Sequence, residues 1–345
     1  MFDLNALIRP NIAALKPYSC ARDEYKGSEG IFLDANESPY NTPYNRYPDP
    51  LQTALKQKIA ALKKVPAECI FLGNGSDEAI DLVYRAFCEP GKDNVVAIEP
   101  TYGMYRVCAD INDTEYRPVL LRQDFSVDAE KMLRACDRHT KVIFLCSPNN
   151  PTSNLLDEKE IVTILNHFKG IVVLDEAYID FAGTEGFLPH LQQYPNLIIL
   201  QTMSKAWAMA SVRLGMAFAS PAIVAVFNKI KYPYNISLLT QQFVLQSIEK
   251  EKEKNERVKA ILAQRELLRN ELLRLSVVKE IFPSDANFLM VRVTEANRIY
   301  QYLISQKIIV RNRSSVALCM GCLRITVGLP EENQALLEAL KKYPG

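Results

Sequence analysis

Residues 170–180, GIVVLDEAYID, place four consecutive apolar residues directly before an aspartate. A short uninterrupted β-rich run reads as a strand buried on both faces, since a strand with one wet face would alternate. Three more runs have this character: NVVAIEP (94–100), KVIFLCSP (141–148) and NLIILQTMS (196–204). The segments between them carry helical periodicity, so the pattern predicts an α/β fold with a mostly parallel sheet between helices. In DEAIDLVYRAFCEPG (77–91) the spacing of Ile80, Val83 and Phe87 predicts an amphipathic helix, with Ser76 as its N-cap and Pro90-Gly91 as its stop.

At 345 residues the chain exceeds the roughly 250–300 residues at which a single core stops growing, so two lobes are expected. The segment 251–275 is charged and leucine-rich, with Val258, Ile261, Leu262, Leu268, Leu272 and Leu275 on one helical face, as in a helix linking lobes. Beyond it, ANFLMVRV, KIIVRNRSS and CLRITVG read as strands and 295–305 and 331–342 as helices. The expected organisation is an arm over 1–45, a large domain over 46–250 and a smaller C-terminal α/β domain over 251–345.

With 41 basic and 40 acidic residues the net charge is +1, which gives a nucleic acid no electrostatic handle. Most of the eight cysteines fall in apolar runs, where a thiol behaves as a small hydrophobe and a reducing compartment is implied. Cys319 and Cys322 form a CxxC without a second pair or a nearby histidine, so no metal site is expected. The N-terminus lacks a signal-peptide pattern, and no run approaches a membrane span; a cytoplasmic protein without a membrane partner is expected.

In an open α/β sheet, ligands bind beyond the C-terminal ends of the parallel strands, and the polar motifs fall at those ends. Asp175 closes a buried run, where a carboxylate costs free energy unless a cation such as a protonated heterocyclic nitrogen meets it. Tyr178 could offer its hydroxyl to the same ligand. In FLGNGSDEAID (71–81) the glycines and the free N–H groups near Ser76 and Asp77 suit a phosphate, although an ordinary capped helix explains them equally. Asp77 and Glu78 would repel such an anion unless their side chains turn away. In CSPNNPTSN (146–154) Asn150 precedes a proline that pushes it out of helical geometry. In TMSKAWAMASVRLG (202–215) Lys205 is either a surface lysine or, if partly desolvated, a nucleophile and base, and Arg213 adds a cation suited to phosphate.

Taken in order along one domain, these motifs resemble those of the fold-type I pyridoxal-phosphate enzymes, the aspartate aminotransferase superfamily. The resemblance covers nearly the whole chain. It implies that Lys205 is the Schiff-base lysine and proton shuttle and that Asp175 keeps the ring nitrogen protonated. Asn150 and Tyr178 would bond the phenolic oxygen, and Tyr102 of EPTYGMY would stack on the ring. Gly75, Ser76, Asp77, Thr202, Ser204 and Arg213 would hold the cofactor phosphate.

Four further segments, LIRPNIAALKPYSCARDEY (7–25), LDANESPYNTPYNRYPDP (33–50), VRNRSS (310–315) and CLRITVG (322–328), are similar to the histidinol-phosphate aminotransferases. That likeness implies L-histidinol phosphate as amino donor and 2-oxoglutarate as acceptor, giving glutamate. Arg324, Arg311 and Tyr18 would take the substrate phosphate, a dianion that two guanidinium forks suit. Without the likeness, Arg311 and Arg313 could equally be a solvated strand edge. Tyr47 matches a tyrosine that reaches the cofactor phosphate of a neighbouring subunit, which implies a homodimer with shared sites. Aminotransferases for aromatic amino acids and threonine-phosphate decarboxylases are the nearest alternatives. Ser153 stands where the family usually has glycine; a position needing positive φ would strain serine by on the order of 1 kcal/mol.

Overall fold

The computed structural model describes residues 2–18 and 30–344; Cys20 and the rest of 19–29, part of the expected arm, lie outside them. A seven-stranded sheet is formed by β1 (Ile70–Asn74), β2 (Asn94–Glu99), β3 (Glu115–Leu120), β4 (Thr140–Cys146), β5 (Ile171–Asp175), β6 (Leu197–Thr202) and β7 (Leu214–Ala219). Its order is β1-β7-β6-β5-β4-β2-β3, and only β7 runs against the others.

The continuous apolar runs are explained by two cores. Val172 and Leu174 of β5 enter one, Ile171 and Val173 the other, and β6 divides in the same way between Leu197 and Ile199 and Ile198 and Leu200. Helices Thr53–Lys63, Glu158–His167 and Leu238–Ile248 contribute to the first core. Ser76–Phe87, Met104–Ile111 and Pro221–Ile230 contribute to the second. Each fully buried Val, Leu or Ile of these strands is worth roughly 1.5–3 kcal/mol, which holds the strand ends in place.

A four-stranded antiparallel sheet, ordered β10-β11-β9-β8, follows from β8 (Val278–Ile281), β9 (Phe288–Val293), β10 (Arg311–Asn312) and β11 (Cys322–Thr326). Its strands alternate. Leu289, Val291, Leu323 and Ile325 pack with the helices Glu251–Leu272, Ala296–Ser305 and Pro330–Lys341. Phe288, Met290, Cys322 and Arg324 occupy the other face, and Met290 and Cys322 join the first core of the large sheet. Phe288 packs with Tyr178 and Phe181 of the large sheet's loops.

Four local readings are corrected. The first helix of the large sheet begins at Ser76 with Gly75 as its flanking residue, because φ +72° at Gly75 suits glycine and its N–H bonds Arg213 O. The linking helix ends at Leu272, with Leu275 beyond it, and it buries Lys254 against Asp180 at 2.9 Å. The run 307–315 yields only Arg311–Asn312 as strand, since Asn312 Oδ1 then accepts Ser314 N and turns the chain. Part of the aperiodic arm is helical: Phe2, Leu4, Leu7, Ile8 and Ile12 pack on the second core of their own chain. Among the described residues no helix is long and apolar enough to cross a membrane.

Candidate active site

The C-terminal ends of β1, β4, β5 and β6 and the start of β7 meet around a cleft of about 150 Å³. Gly75, Ser76, Asp77, Tyr102, Asn150, Asp175, Tyr178, Thr202, Ser204, Lys205 and Arg213 all line it, so eleven side chains or amides singled out from sequence are brought together.

One end of the cleft is built for an anion. A Cβ at Gly75 would sit 2.5 Å from Arg213 Nη2, so only glycine lets that guanidinium lie against the helix start. Gly215, which sequence reasoning missed, is equally constrained: a Cβ there would meet Ser76 N at 2.1 Å. The first N–H groups of the helix Ser76–Phe87 therefore lie beside Arg213, with the positive end of the helix dipole adding to it. Both carboxylates of the first turn are turned to other partners. Asp77 accepts Tyr102 OH at 3.0 Å and Arg213 Nη2 at 3.4 Å. Glu78 accepts the backbone N–H of Asn74 and the amide of Asn235. Thr202 Oγ1 and Ser204 Oγ, 3.0 Å apart, complete this end.

At the other end Asp175 is buried and receives Tyr105 OH at 2.8 Å and Ala177 N at 3.0 Å. No lysine, arginine or histidine nitrogen lies within 4 Å of it among the described residues. Burial pushes its carboxyl up to about 6, while Tyr105 and Ala177 pull it back. A buried carboxylate with two donors and no cation fits a protonated ring nitrogen. Tyr105 was not legible as a site residue: it sits one turn after Tyr102 in a helix and stacks on Phe144 like a core aromatic.

Lys205 faces the cleft with Nζ 5.5 Å from the centre of the Tyr178 ring. Partial burial lowers its pKa, the nearby Arg324 lowers it further, and Asp175 opposes both. Tyr178 is buried edge-on to Phe288, and burial raises its phenol. Asn150 is held by a turn in which Asn149 bonds Pro100 O, Thr152 Oγ1 and Thr101 Oγ1. Its Oδ1 accepts Arg324 of β11, and its NH₂ has no partner among the described residues.

Ser153 has φ +71°, so the position does need the left-handed region. Its Oγ donates to Pro283 O at 3.0 Å and its carbonyl accepts Asp285 N at 2.8 Å, two bonds to the smaller sheet's entry loop.

The remaining expected residues stand apart from the cleft. Arg311 lies opposite Arg324 on β10 and is exposed. Tyr18 is 72% exposed, and Tyr47 is 50% exposed and stacked on Tyr234 at 4.5 Å. Neither tyrosine lines the cleft within one chain.

The family model for aminotransferase class I and II matches residues 31–340. A protein of Bacteroides thetaiotaomicron named histidinol-phosphate aminotransferase is 58% identical over 346 residues, covering 100% of both chains. Among solved structures, the histidinol-phosphate aminotransferase from Clostridium acetobutylicum superposes with a TM-score of 0.80 at 24% identity over 86% of this chain and 90% of that one. The Sinorhizobium meliloti histidinol-phosphate aminotransferase, solved in complex with pyridoxal-5'-phosphate, gives 0.78 at 24% identity over 86% and 82%. Both structural likenesses speak to the fold.

Proposed function

The chain belongs to the class I and II aminotransferases, which depend on pyridoxal 5'-phosphate, and we propose that it moves the amino group of L-histidinol phosphate to 2-oxoglutarate. The products are imidazole-acetol phosphate and L-glutamate, and the reaction is reversible. The observation that carries the substrate reading is Arg324, which has no carboxylate partner among the described residues and donates to Asn150 at the rim of the cleft. A guanidinium there suits an anionic group at the far end of an amino substrate.

Bound pyridoxal 5'-phosphate supplies an electron sink that makes the substrate's amino-bearing carbon acidic and carries the amino group between half-reactions. The chain's residues divide the rest of the work. Asp175 would pair with the ring nitrogen and keep it protonated, with Tyr105 holding the carboxylate in place. Tyr178 and the Asn150 NH₂ would donate to the phenolic oxygen, and Tyr102 would pack on the ring face. Gly75, Ser76, Asp77, Thr202, Ser204 and Arg213 take the cofactor phosphate. Lys205, with its pKa lowered, is free to act as nucleophile and to move a proton to and from the reacting carbon.

Arg311, Arg324 and Tyr18 bind the substrate phosphate, and Tyr47 reaches the site of a second subunit in a homodimer. Tyr44, Tyr47, Tyr234 and Leu239 line one surface groove, and Tyr44, Tyr47 and Leu239 are exposed; apolar groups gathered on one surface support such a pairing. Residues 46–250 form the domain that holds the cofactor, and residues 251–345 form the smaller domain that carries Arg311 and Arg324. The free cysteines, most of them buried, support a cytoplasmic enzyme.

The test is the purified enzyme with histidinol phosphate, phenylalanine and threonine phosphate as donors and 2-oxoglutarate as acceptor. Glutamate is expected from histidinol phosphate at a kcat/KM about 100-fold above the others, and Arg324→Gln should remove most of that preference. Equal or greater turnover of phenylalanine would sink the substrate reading.

A further inference from the structure

Arg311 and Arg324 are directly opposed in the β10–β11 pair, so their side chains share one face of the small sheet. Arg313 N donates to Cys322 O at 2.9 Å, which continues the ladder and returns Arg313 to that face two residues on. The opposite face is occupied by Leu323 and Ile325. Three guanidinium groups thus project toward the large lobe, and none has a carboxylate within 4 Å among the described residues.

The exposed Arg311 is the member of the set that a sequence likeness singles out, but Arg313 is the better buried of the two. Its Nε is shut off from water and has no hydrogen-bond partner. Against the larger opposing effect of burial, Arg324 and Arg313 both lower the Tyr178 phenol. Tyr178 lines the cofactor cleft, so the Arg313 guanidinium lies on the reacting side of the sheet. Burial and the mutual repulsion of these cations both disfavour their charge. A desolvated arginine with an unused donor, set among like charges, is an arrangement that an anion would complete. One negative charge compensates a third of the set, and two compensate most of it.

We propose that Arg313 is a third anion-binding residue of this site, and that its guanidinium, added to those of Arg311 and Arg324, favours a phosphate monoester dianion over a carboxylate on the amino donor. The proposal rests on the substrate reading above, since it takes the donor to be phosphorylated. The experiment uses the holoenzyme, whose cofactor phosphate already fills the first anion site, with Arg313→Gln and Arg313→Lys. Half-reactions are followed by the cofactor's absorbance with histidinol phosphate and with glutamate, and melting temperature is measured with and without inorganic phosphate.

Arg313→Gln is expected to raise KM for histidinol phosphate about tenfold or more, with kcat within about threefold and KM for glutamate within about threefold. Its melting temperature without phosphate should be unchanged or higher, because a repulsive buried charge is gone, while the gain on adding phosphate shrinks. Arg313→Lys, which keeps the charge and loses the fork, should fall between. Equal losses for both donors, or a lower melting temperature without phosphate in both variants, would mean that Arg313 is structural and would overturn the proposal. If the wild type turned over no phosphorylated amine, the substrate reading would fail. A phosphate stabilisation that still depended on Arg313 would then support the anion site by itself.

Discussion

The two sheets position chemistry in opposite ways. The large sheet is buried on both faces, and its candidate functional groups sit where strands end: Asp175 closes β5, Asn150 follows β4 and Lys205 follows β6. The small sheet is buried by helices on one face only, and its candidate substrate-binding groups sit along the strands of the other. Strand ends fixed between two cores place a few groups with little freedom, which suits covalent chemistry. A sheet face presents a set of like groups at regular intervals, which suits gripping a charged substrate. On this comparison, damage to the large sheet's groups should cost turnover with every donor, whereas damage to the small sheet's arginines should change which donor is used.

The largest effect is expected at Lys205. Lys205→Ala should lower turnover on the order of 10⁴-fold with phosphorylated and carboxylate donors alike. Borohydride treatment of the wild-type holoenzyme should add the cofactor's mass to the peptide bearing Lys205, and no such gain should appear in the variant. If Lys205→Ala spared one donor, the division of labour between the sheets would break.

A smaller effect concerns the residue behind Asp175. Glu176 is buried with Phe187 N and Gln201 Nε2 as its donors, and burial pushes it up to about 7 from an ordinary 4.5. The folded state then holds a proton that the unfolded state releases earlier. Stability contributed by Glu176 is therefore full below about pH 4.5 and is lost as pH rises to about 7, by about 3 kcal/mol. Asp175 adds the same sign over a lower window, up to about 6. The cofactor-free protein should melt a few degrees lower at pH 8 than at pH 5. Glu176→Gln should remove a large part of that difference, and an unchanged slope would show that Glu176 does not titrate in this range.

The smallest effect is expected at Ser153. Glycine would relieve roughly 1 kcal/mol of backbone strain but lose a hydrogen bond worth about as much, so Ser153→Gly should be neutral within about 1 kcal/mol. Ser153→Ala keeps the strain without the bond to Pro283 and should be the less stable by about 1 kcal/mol, read from denaturant midpoints.

The same contrast explains what the sequence could reveal. A strand buried on both faces writes itself as a continuous apolar run, so β2, β4, β5 and β6 were legible together with the polar residues that close them. β3 is an edge strand whose residues are exposed or half-buried except Val119, with a proline at 118, and it left no such trace. In β7, LGMAFA, the need for glycine at 215 comes from the helix start at Gly75-Ser76 that packs on it, a constraint visible only in three dimensions. Tyr105 carries a hydroxyl on an otherwise core-like ring, and only the Asp175 contact sets it apart. Arg313 reads as strand-edge charge until the β10–β11 register puts it beside Arg324.

The turn that carries Asn150 is pinned to the smaller sheet at two points, through Ser153 to Pro283 and Asp285, while Arg324 of that sheet holds Asn150 itself. A rigid-body swing of the small lobe therefore cannot leave the cleft untouched. Any rotation large enough to admit or release a substrate would drag on the loop beside the ring, so the pivot of such a motion should lie close to residues 153 and 285, with displacement growing toward the arginine-bearing edge at β10.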